Sequence, residues 1–140
     1  MGYIKLITKK RRRKTFGKKP KKADLAVWSK IIRKRDGLKC LSCSSSKDLH
    51  AHHMVSKHRR PKFALLIDNG ITLCSMCHMG YGGVHHSKSS PKNKLIKKLK
   101  KIFRFNDIKS AISVGRSLRK KGQAKKRKVK YKKFSYKRKT

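Results

Sequence analysis

The chain has 140 residues, of which 44 are lysine or arginine and only 5 are acidic, giving a formal net charge of +39. This length allows one small domain with appendages, and so large a charge opposes compact folding unless a polyanion is present. Every acidic residue is an aspartate. A metal site built on a carboxylate cluster is therefore nearly excluded, and a catalytic metal would depend on nitrogen or amide ligands.

Nucleic acid is the polyanion that this composition favours, because displacing its counterions gives tight, salt-sensitive binding. An anionic membrane surface competes for basic tails, but no apolar run approaches the roughly 20 residues of a membrane span. The first apolar residues lead into the run KKRRRK, which is untypical of a signal peptide. We expect a soluble, cytoplasmic protein that binds nucleic acid and no membrane.

Both ends of the chain are strongly basic. Residues 1–22 contain eleven lysines and arginines and no acid, and residues 119–140 are similar, with three aromatic residues interleaved. Like charges at this density resist compact folding. We predict two arms that are disordered until they contact phosphate groups.

A helix is the first element predicted between the arms. Leu25, Trp28 and Ile32 recur at helical spacing in DLAVWSKIIRKRDG. Asp24 is a candidate N-cap for this helix, and Gly37 is its candidate stop. Trp28 is interpreted as a core anchor.

Two strands and a short helix are predicted next. LHAHHM, at residues 49–54, follows the turn SSSKD and predicts a strand, and GITL, at residues 70–73, predicts its antiparallel partner. A helix should begin near Ser75, and the glycines at positions 80, 82 and 83 should end it early.

Two further helices are predicted downstream. Ser90 and Pro91 are favourable cap and first-turn residues for a helix through KNKLIKKLKKIF, and Asn106 is a candidate cap for the next helix. Residues 89–118 could form an accessory unit on the nucleic acid or could complete the core, and the sequence does not separate these alternatives.

The cysteines occur as two identical pairs. CLSC carries Cys40 and Cys43, and CSMC carries Cys74 and Cys77. A Cys-x-x-Cys turn presents two thiolates to one tetrahedral zinc ion, and four thiolates close its coordination. We therefore predict a structural Zn²⁺, which would contribute the folding free energy that a region of about 60 residues lacks.

Histidine supplies the other candidate metal ligands. His78 directly follows Cys77, and LHAHHM holds three histidines in six residues. Imidazole binds metals and exchanges protons near neutral pH. Because helix neighbours differ in direction by about 100°, Cys77 can face the zinc while His78 faces a second, reactive metal.

Together these segments resemble the HNH endonuclease motif. LHAHHM, then Asn69 in DNGITLC, then CSMCHMG are similar to its first histidine, its asparagine and its last histidine. The cysteine pairs resemble the zinc-bearing branch that is common among phage and intron-encoded (homing) enzymes. The resemblance covers about residues 26–86.

The resemblance implies an α+β fold, namely the small zinc-stapled ββα-metal (His-Me finger) domain with flanking helices. The chain would then divide into a basic N-terminal arm, the nuclease domain, accessory helices and a basic C-terminal tail. These four parts would span residues 1–22, 23–88, 89–118 and 119–140.

Individual roles follow from the same resemblance. His53 is similar to the general base that activates water, His52 and His78 to ligands of a catalytic divalent ion, and Asn69 to the residue that holds the loop and orients the base. The implied activity is hydrolysis of DNA phosphodiester bonds, leaving a 5′-phosphate and a 3′-hydroxyl. Mg²⁺ prefers oxygen ligands whereas imidazole accepts Mn²⁺, Ni²⁺ or Zn²⁺, so the choice of catalytic metal stays open.

The remaining histidines have no firm assignment. Surface histidines usually contact neither metal nor phosphate, so His85 and His86 are left outside the predicted ligand set. His50 could support His52 from a second shell or have no role. Neighbouring strand residues point to opposite faces, so His52 and His53 share a site only if the strand bends or ends there. The basic loop SKHRRPK supplies the predicted phosphate contacts Lys57, His58, Arg59 and Arg60.

The alternative function is a zinc-stapled nucleic-acid-binding protein without catalytic activity. The composition and the cysteines fit both functions. The four residues His52, His53, Asn69 and His78 favour the nuclease, because a binding protein has no need of them at motif spacing. One active site cuts one strand per visit, so double-strand cleavage would require two protomers or a second visit.

Overall fold

The computed structural model describes residues 18–137, with side-chain surroundings as far as residue 122. A two-stranded antiparallel sheet and a short following helix form its centre, and three longer helices flank them. In chain order the elements are α1 (Lys22–Arg35), β1 (Leu49–His53), β2 (Gly70–Cys74), α2 (Ser75–His78), α3 (Lys94–Phe105) and α4 (Ile108–Lys137). This α+β arrangement confirms the predicted ββα-metal fold.

The sheet register brings the ends of the two strands together. Leu49 pairs with Cys74 and His53 pairs with Gly70. Every residue of β2 is buried, because the strand lies between helices. A Cβ on Gly70 would lie 2.6–2.7 Å from atoms of Trp28 and Ile32, so α1 packs directly against the backbone at the start of β2.

One hydrophobic core extends from the cysteine turns to the later helices. Helix α3 contributes Ile96, Leu99 and Ile102 to the cluster that contains Met54 and Leu73. Its apolar residues recur every three or four positions, which directs one face of the helix toward the sheet. Within the described residues, α3 therefore completes the core around the sheet, which is one of the two roles predicted for this segment.

Two of the predicted helix caps are wrong. Helix α1 begins at Lys22, and its N-cap is Lys21. Asp24 lies in the first turn instead, where a carboxylate still interacts favourably with the helix dipole. Ser90 and Pro91 precede the start of α3, whose N-cap is Asn93. The Asn93 side chain accepts a hydrogen bond from the Ile96 N–H at 2.9 Å. Ser90 lies too far before the first turn of α3 to accept this bond.

The cap predicted at Asn106 is also wrong. Asn106 has a φ of 50° and ends α3 in the left-handed conformation, which asparagine tolerates. Asp107 caps α4 instead, since its Oδ1 accepts a hydrogen bond from the Ser110 N–H at 3.1 Å.

Helix α4 continues to Lys137. The expectation that residues 119–140 lack regular structure is therefore wrong for residues 119–137. Lysine, arginine, glutamine and alanine are good helix formers, and a segment that extends an existing helix has no nucleation cost. Residues 1–17 of the predicted N-terminal arm lie outside the described residues. Within the described part of the chain, no helix is both long and apolar enough to cross a membrane.

A buried ion pair joins α1 to the start of β2. The Arg35 guanidinium contacts the Asp36 carboxylate at 2.7 Å and donates to the carbonyls of Ile67 and Gly70 at 2.9 and 2.6 Å. Asp36 in turn accepts a hydrogen bond from the Thr72 N–H at 2.8 Å. These bonds hold the segment that contains Asn69 against the end of α1.

Candidate active site and metal centres

The four cysteines form one cluster. Cys40 and Cys43 lie in the turn after α1, Cys74 ends β2 and Cys77 lies in α2. Their sulfur atoms all lie within 4.8 Å of one another, so the four cysteines are positioned to bind a metal. Burial would raise the pKa of Cys74, but hydrogen bonds from the Cys77 N–H and from neighbouring thiols bring it down to about 7. At Cys74 this favours the thiolate, which is the ligand form, whereas burial raises the pKa of Cys77 to about 12.

A second cluster contains imidazoles alone. One ring nitrogen from each of His52, His78 and His85 lies within 4.8 Å of the other two. The ring centroids of these histidines are separated by 4.8 to 5.1 Å. The structure thus brings together the two predicted ligands of the catalytic ion and adds His85, which the sequence interpretation left out.

The chain reversal after α2 explains why His85 reaches the cluster. Helix α2 ends at His78, and Gly82 adopts a φ of 72° that other residues rarely adopt. The Val84 N–H then donates to the Cys77 carbonyl at 2.9 Å, and the His85 N–H donates to the His78 carbonyl at 3.0 Å. Two histidines seven residues apart across a glycine-rich turn were the sequence signal for this pairing.

Electrostatics keeps the clustered rings neutral. Burial lowers the pKa of His52 well below its usual value, and burial lowers the pKa of His78 to about 4, with His85 and His50 adding repulsion. His85 is less buried, and its pKa is also lowered by burial. Neutral imidazoles keep the lone pair that a metal requires.

The Nε2 atom of His52 provides an independent test of whether this site fits an ion. His52 is 2% exposed, and its Nε2 is buried without a hydrogen-bond partner among the described residues. Such an unpaired group costs about 1–3 kcal/mol. A divalent ion among the three rings would satisfy this nitrogen, so the donor set fits a metal.

His53 lies on the other side of β1. Its ring stacks on Trp28 with a centroid distance of 3.9 Å and an interplanar angle of 9°, and its Nε2 lies 2.9 Å from the Ala64 carbonyl oxygen. Burial lowers the pKa of His53 to about 4, the bond to Ala64 opposes this, and the charges of Lys57 and His58 contribute to the lowering. Trp28 is therefore more than the predicted core anchor, since it supports the candidate base.

His52 and His53 nevertheless open onto one cleft. The cleft has a volume of about 320 Å³ and lies where β1 ends, so side chains from both faces of the strand reach it. Phe103 of α3 closes one side, with its ring centroid 4.7 Å from that of His85. The lining residues are Ala51, His52, His53, Ser56, Lys57, His58, His78, His85 and Phe103.

Asn69 is fully buried and binds the loop between the strands. Its Oδ1 accepts a hydrogen bond from the Val55 N–H at 2.8 Å, and its Nδ2 donates to the carbonyls of Val55 and Phe63, each at 3.1 Å. Phe63 precedes Ala64, whose carbonyl binds His53. Asn69 thus holds the two ends of the loop that orients the candidate base.

The predicted phosphate contacts divide into two groups. Lys57 and His58 line the cleft, whereas Arg59 and Arg60 are exposed beside it on the same loop. His86 is used elsewhere, because its Nδ1 lies 2.8 Å from Ser89 Oγ.

The antiparallel strand pair, the short helix and the two ligand clusters together define a ββα-metal domain. Residues 40–82 match the model of the HNH endonuclease family. No curated protein and no solved structure matches the chain. The matched segment includes all four cysteines, His52, His53, Asn69 and His78, and it ends before His85.

Proposed function

We propose that the protein is a metal-dependent HNH DNA endonuclease in which His53 is the general base and His52, His78 and His85 hold the catalytic divalent ion. The proposal is supported by one observation: a single cleft is lined by three imidazoles with clustered ring nitrogens and by a fourth imidazole, that of His53, which is held separately. A protein that only binds nucleic acid gains nothing from burying His52 with an unpaired nitrogen.

The surroundings of His53 suit proton abstraction from water. Donation from Nε2 to the Ala64 carbonyl leaves Nδ1 with the lone pair that accepts a proton. The stack on Trp28 restricts the orientation of the ring. A pKa of about 4 keeps His53 neutral at pH 7, and the negative charge of a bound phosphodiester would raise that pKa, which strengthens the base.

The two metal centres have different chemistry in this proposal. Four thiolates suit a structural Zn²⁺ with closed coordination. A divalent ion at the three imidazoles would polarise a phosphate oxygen and stabilise the leaving oxygen. Nitrogen ligands favour Mn²⁺, Ni²⁺ or Zn²⁺ there, while Mg²⁺ prefers oxygen.

DNA is the proposed substrate, and the cleft carries the charge to receive its backbone. Lys57 and His58 line the cleft, and Arg59 and Arg60 extend the basic surface along the same loop. In a chain with a net charge of +39, binding should be strong and strongly salt-dependent.

The test compares His53→Ala with His86→Ala. The full-length, zinc-loaded proteins are incubated with supercoiled plasmid in Mg²⁺, Mn²⁺, Ni²⁺ or Zn²⁺, and DNA binding is measured in parallel by gel shift. We expect His53→Ala to bind DNA as the wild type does and to lose cleavage by a factor of about 10²–10⁴, the usual contribution of a general base. His86→Ala, which removes an imidazole outside the cluster, should still cleave.

Two results would overturn the proposal. A wild-type protein that binds DNA but nicks it with none of the four metals would be a non-enzymatic binding protein. A folded His53→Ala protein that cleaves at the wild-type rate would exclude His53 as the base.

A further inference from the structure

We infer that His50 is a positioning residue for the metal ligand His78, an inference that rests on the proposed function. The Nδ1 atoms of His50 and His78 lie 3.0 Å apart. Their rings meet edge to face, with centroids separated by 5.3 Å. This is a short, directed contact between an exposed side chain and a member of the imidazole cluster.

The strand geometry explains how His50 reaches His78. Residues two apart on a strand share a face, so His50 and His52 both point toward α2. His52 is 2% exposed and its ring centroid lies 5.1 Å from that of His78, whereas His50 is exposed. The His78 ring therefore has the cluster on its buried side and His50 on its solvent side.

The bond between these rings selects which nitrogen of His78 is available to an ion. A metal-bound histidine commonly donates its other ring N–H to an acceptor, which fixes the tautomer and the ring orientation. When His78 Nδ1–H donates to His50 Nδ1, Nε2 is left as the ligand atom. A carboxylate or a main-chain carbonyl is a common acceptor in such pairs; at His78 the neutral imidazole of His50 takes this place.

Direct ligation by His50 is the competing interpretation, because two nitrogens bound to one ion can also lie about 3 Å apart, given metal–nitrogen distances near 2 Å. The position of His50 argues against it. The group whose ligand atoms all lie within 4.8 Å of one another contains His52, His78 and His85, and His50 falls outside it. Within the described side chains, His78 is also the sole hydrogen-bond partner of the His50 ring. Removing His50 should therefore affect His78 and little else.

The test measures metal affinity in the absence of DNA. Ni²⁺ is titrated calorimetrically into the full-length zinc-loaded protein and into His50→Ala and His50→Asn. The Oδ1 atom of asparagine occupies the position of histidine Nδ1 and can accept the same hydrogen bond. We expect His50→Ala to weaken Ni²⁺ binding by about 10–100-fold, the usual effect of losing such a partner, and His50→Asn to restore most of the affinity.

His86→Ala is the matched control, since the His86 ring contacts Ser89 outside the cluster and its loss should leave the Ni²⁺ affinity unchanged. Bound zinc and the melting temperature should be the same in every variant. An unchanged affinity in His50→Ala would overturn the inference, and so would equal losses in His50→Ala and His50→Asn, which would indicate direct ligation because an amide is a poor ligand for Ni²⁺. A wild type that binds no Ni²⁺ beyond its zinc would overturn the proposed function as well.

Discussion

Helix α2 carries a ligand for each of two clusters, with Cys77 in the thiolate cluster and His78 in the imidazole cluster. The thiolate cluster has four ligands, which complete a tetrahedral ion, and three of them are buried. The imidazole cluster has three ligands, and they line a cleft beside Lys57. The number of candidate ligands and the access from solvent thus distinguish the two clusters, although adjacent residues in the chain belong to both.

The two clusters are also mechanically connected. The Cys77 and His78 carbonyls accept hydrogen bonds from Val84 and His85 at 2.9 and 3.0 Å. The segment that carries Cys77 therefore holds His85 beside His78. We expect the imidazole cluster to depend on the thiolate cluster, and the reverse dependence to be weak.

Cys40→Ser should have the largest effect, because it removes a buried ligand of the structural centre. Structural zinc binding is worth about 10–16 kcal/mol, which is comparable with the whole stability of about 5–15 kcal/mol for a small domain. We expect no cooperative thermal transition by circular dichroism, and loss of the imidazole cluster with the fold. His85→Ala should melt close to the wild type. A Cys40→Ser protein with the wild-type transition would remove the distinction between the clusters.

His85→Ala should have the next largest effect, on cleavage and not on stability. Loss of a ligand should exceed the 10–100-fold cost of losing an outer-shell partner, so we expect plasmid cleavage to fall at least about 100-fold. The adjacent variant His86→Ala is the control, because the His86 ring contacts Ser89 outside the cluster. Equal losses in the two variants would show that the loop matters as a whole and that His85 has no special role.

Asn69→Ala tests the positioning of the candidate base His53, which is a member of neither cluster. The variant loses three hydrogen bonds to Val55 and Phe63, two of them buried, at about 1 kcal/mol each, so urea unfolding should show a loss of about 3 kcal/mol. Cleavage should fall while zinc content is unchanged. Asn93→Ala removes an exposed helix cap and should cost about 1 kcal/mol with normal cleavage. A cleavage rate unaffected by Asn69→Ala would contradict its positioning role.

Lys100→Met should have the smallest effect. The Lys100 Nζ donates to the carbonyls of His86 and Ser89 at 2.8 and 3.1 Å, and methionine retains most of the apolar stem. Losing these bonds should cost about 1 kcal/mol and weaken Ni²⁺ binding at the imidazole cluster a few-fold without changing zinc content. Lys97→Met, on the exposed side of α3, is the control. Zinc loss in Lys100→Met would show that α3 supports the thiolate cluster instead.

Local sequence patterns predicted the central part of the fold well. The LHAHHM and GITL segments form the expected antiparallel pair, and the glycines after Ser75 end α2 after four residues. Strand alternation, turn residues and cysteine spacing are short-range signals, so a single sequence carries them. The helix caps were less predictable, because several neighbouring residues can accept the same hydrogen bond. Asn93 and Asp107 were the acceptors, where Ser90 and Asn106 had been expected.

The site residues show the same division. His52 and His78 were predicted as partners from the resemblance to the HNH motif, and the structure brings their rings to 5.1 Å. His85, the stack of Trp28 on His53 and the contact of His50 with His78 were not predicted. Each is a contact between elements that are distant in the chain or joined by a glycine-rich turn, whose direction the sequence alone does not specify.

The sequence by itself determined the chemical character of this protein: the surplus of positive charge, the two thiolate pairs and the imidazoles at motif spacing. These properties depend on residue type and on separations of a few residues. The tertiary structure decided which imidazoles lie together, which one is held separately as the candidate base, and that α3 closes the cleft. Those outcomes depend on how the sheet and helices pack, because a side chain's neighbours across the core come from segments tens of residues away.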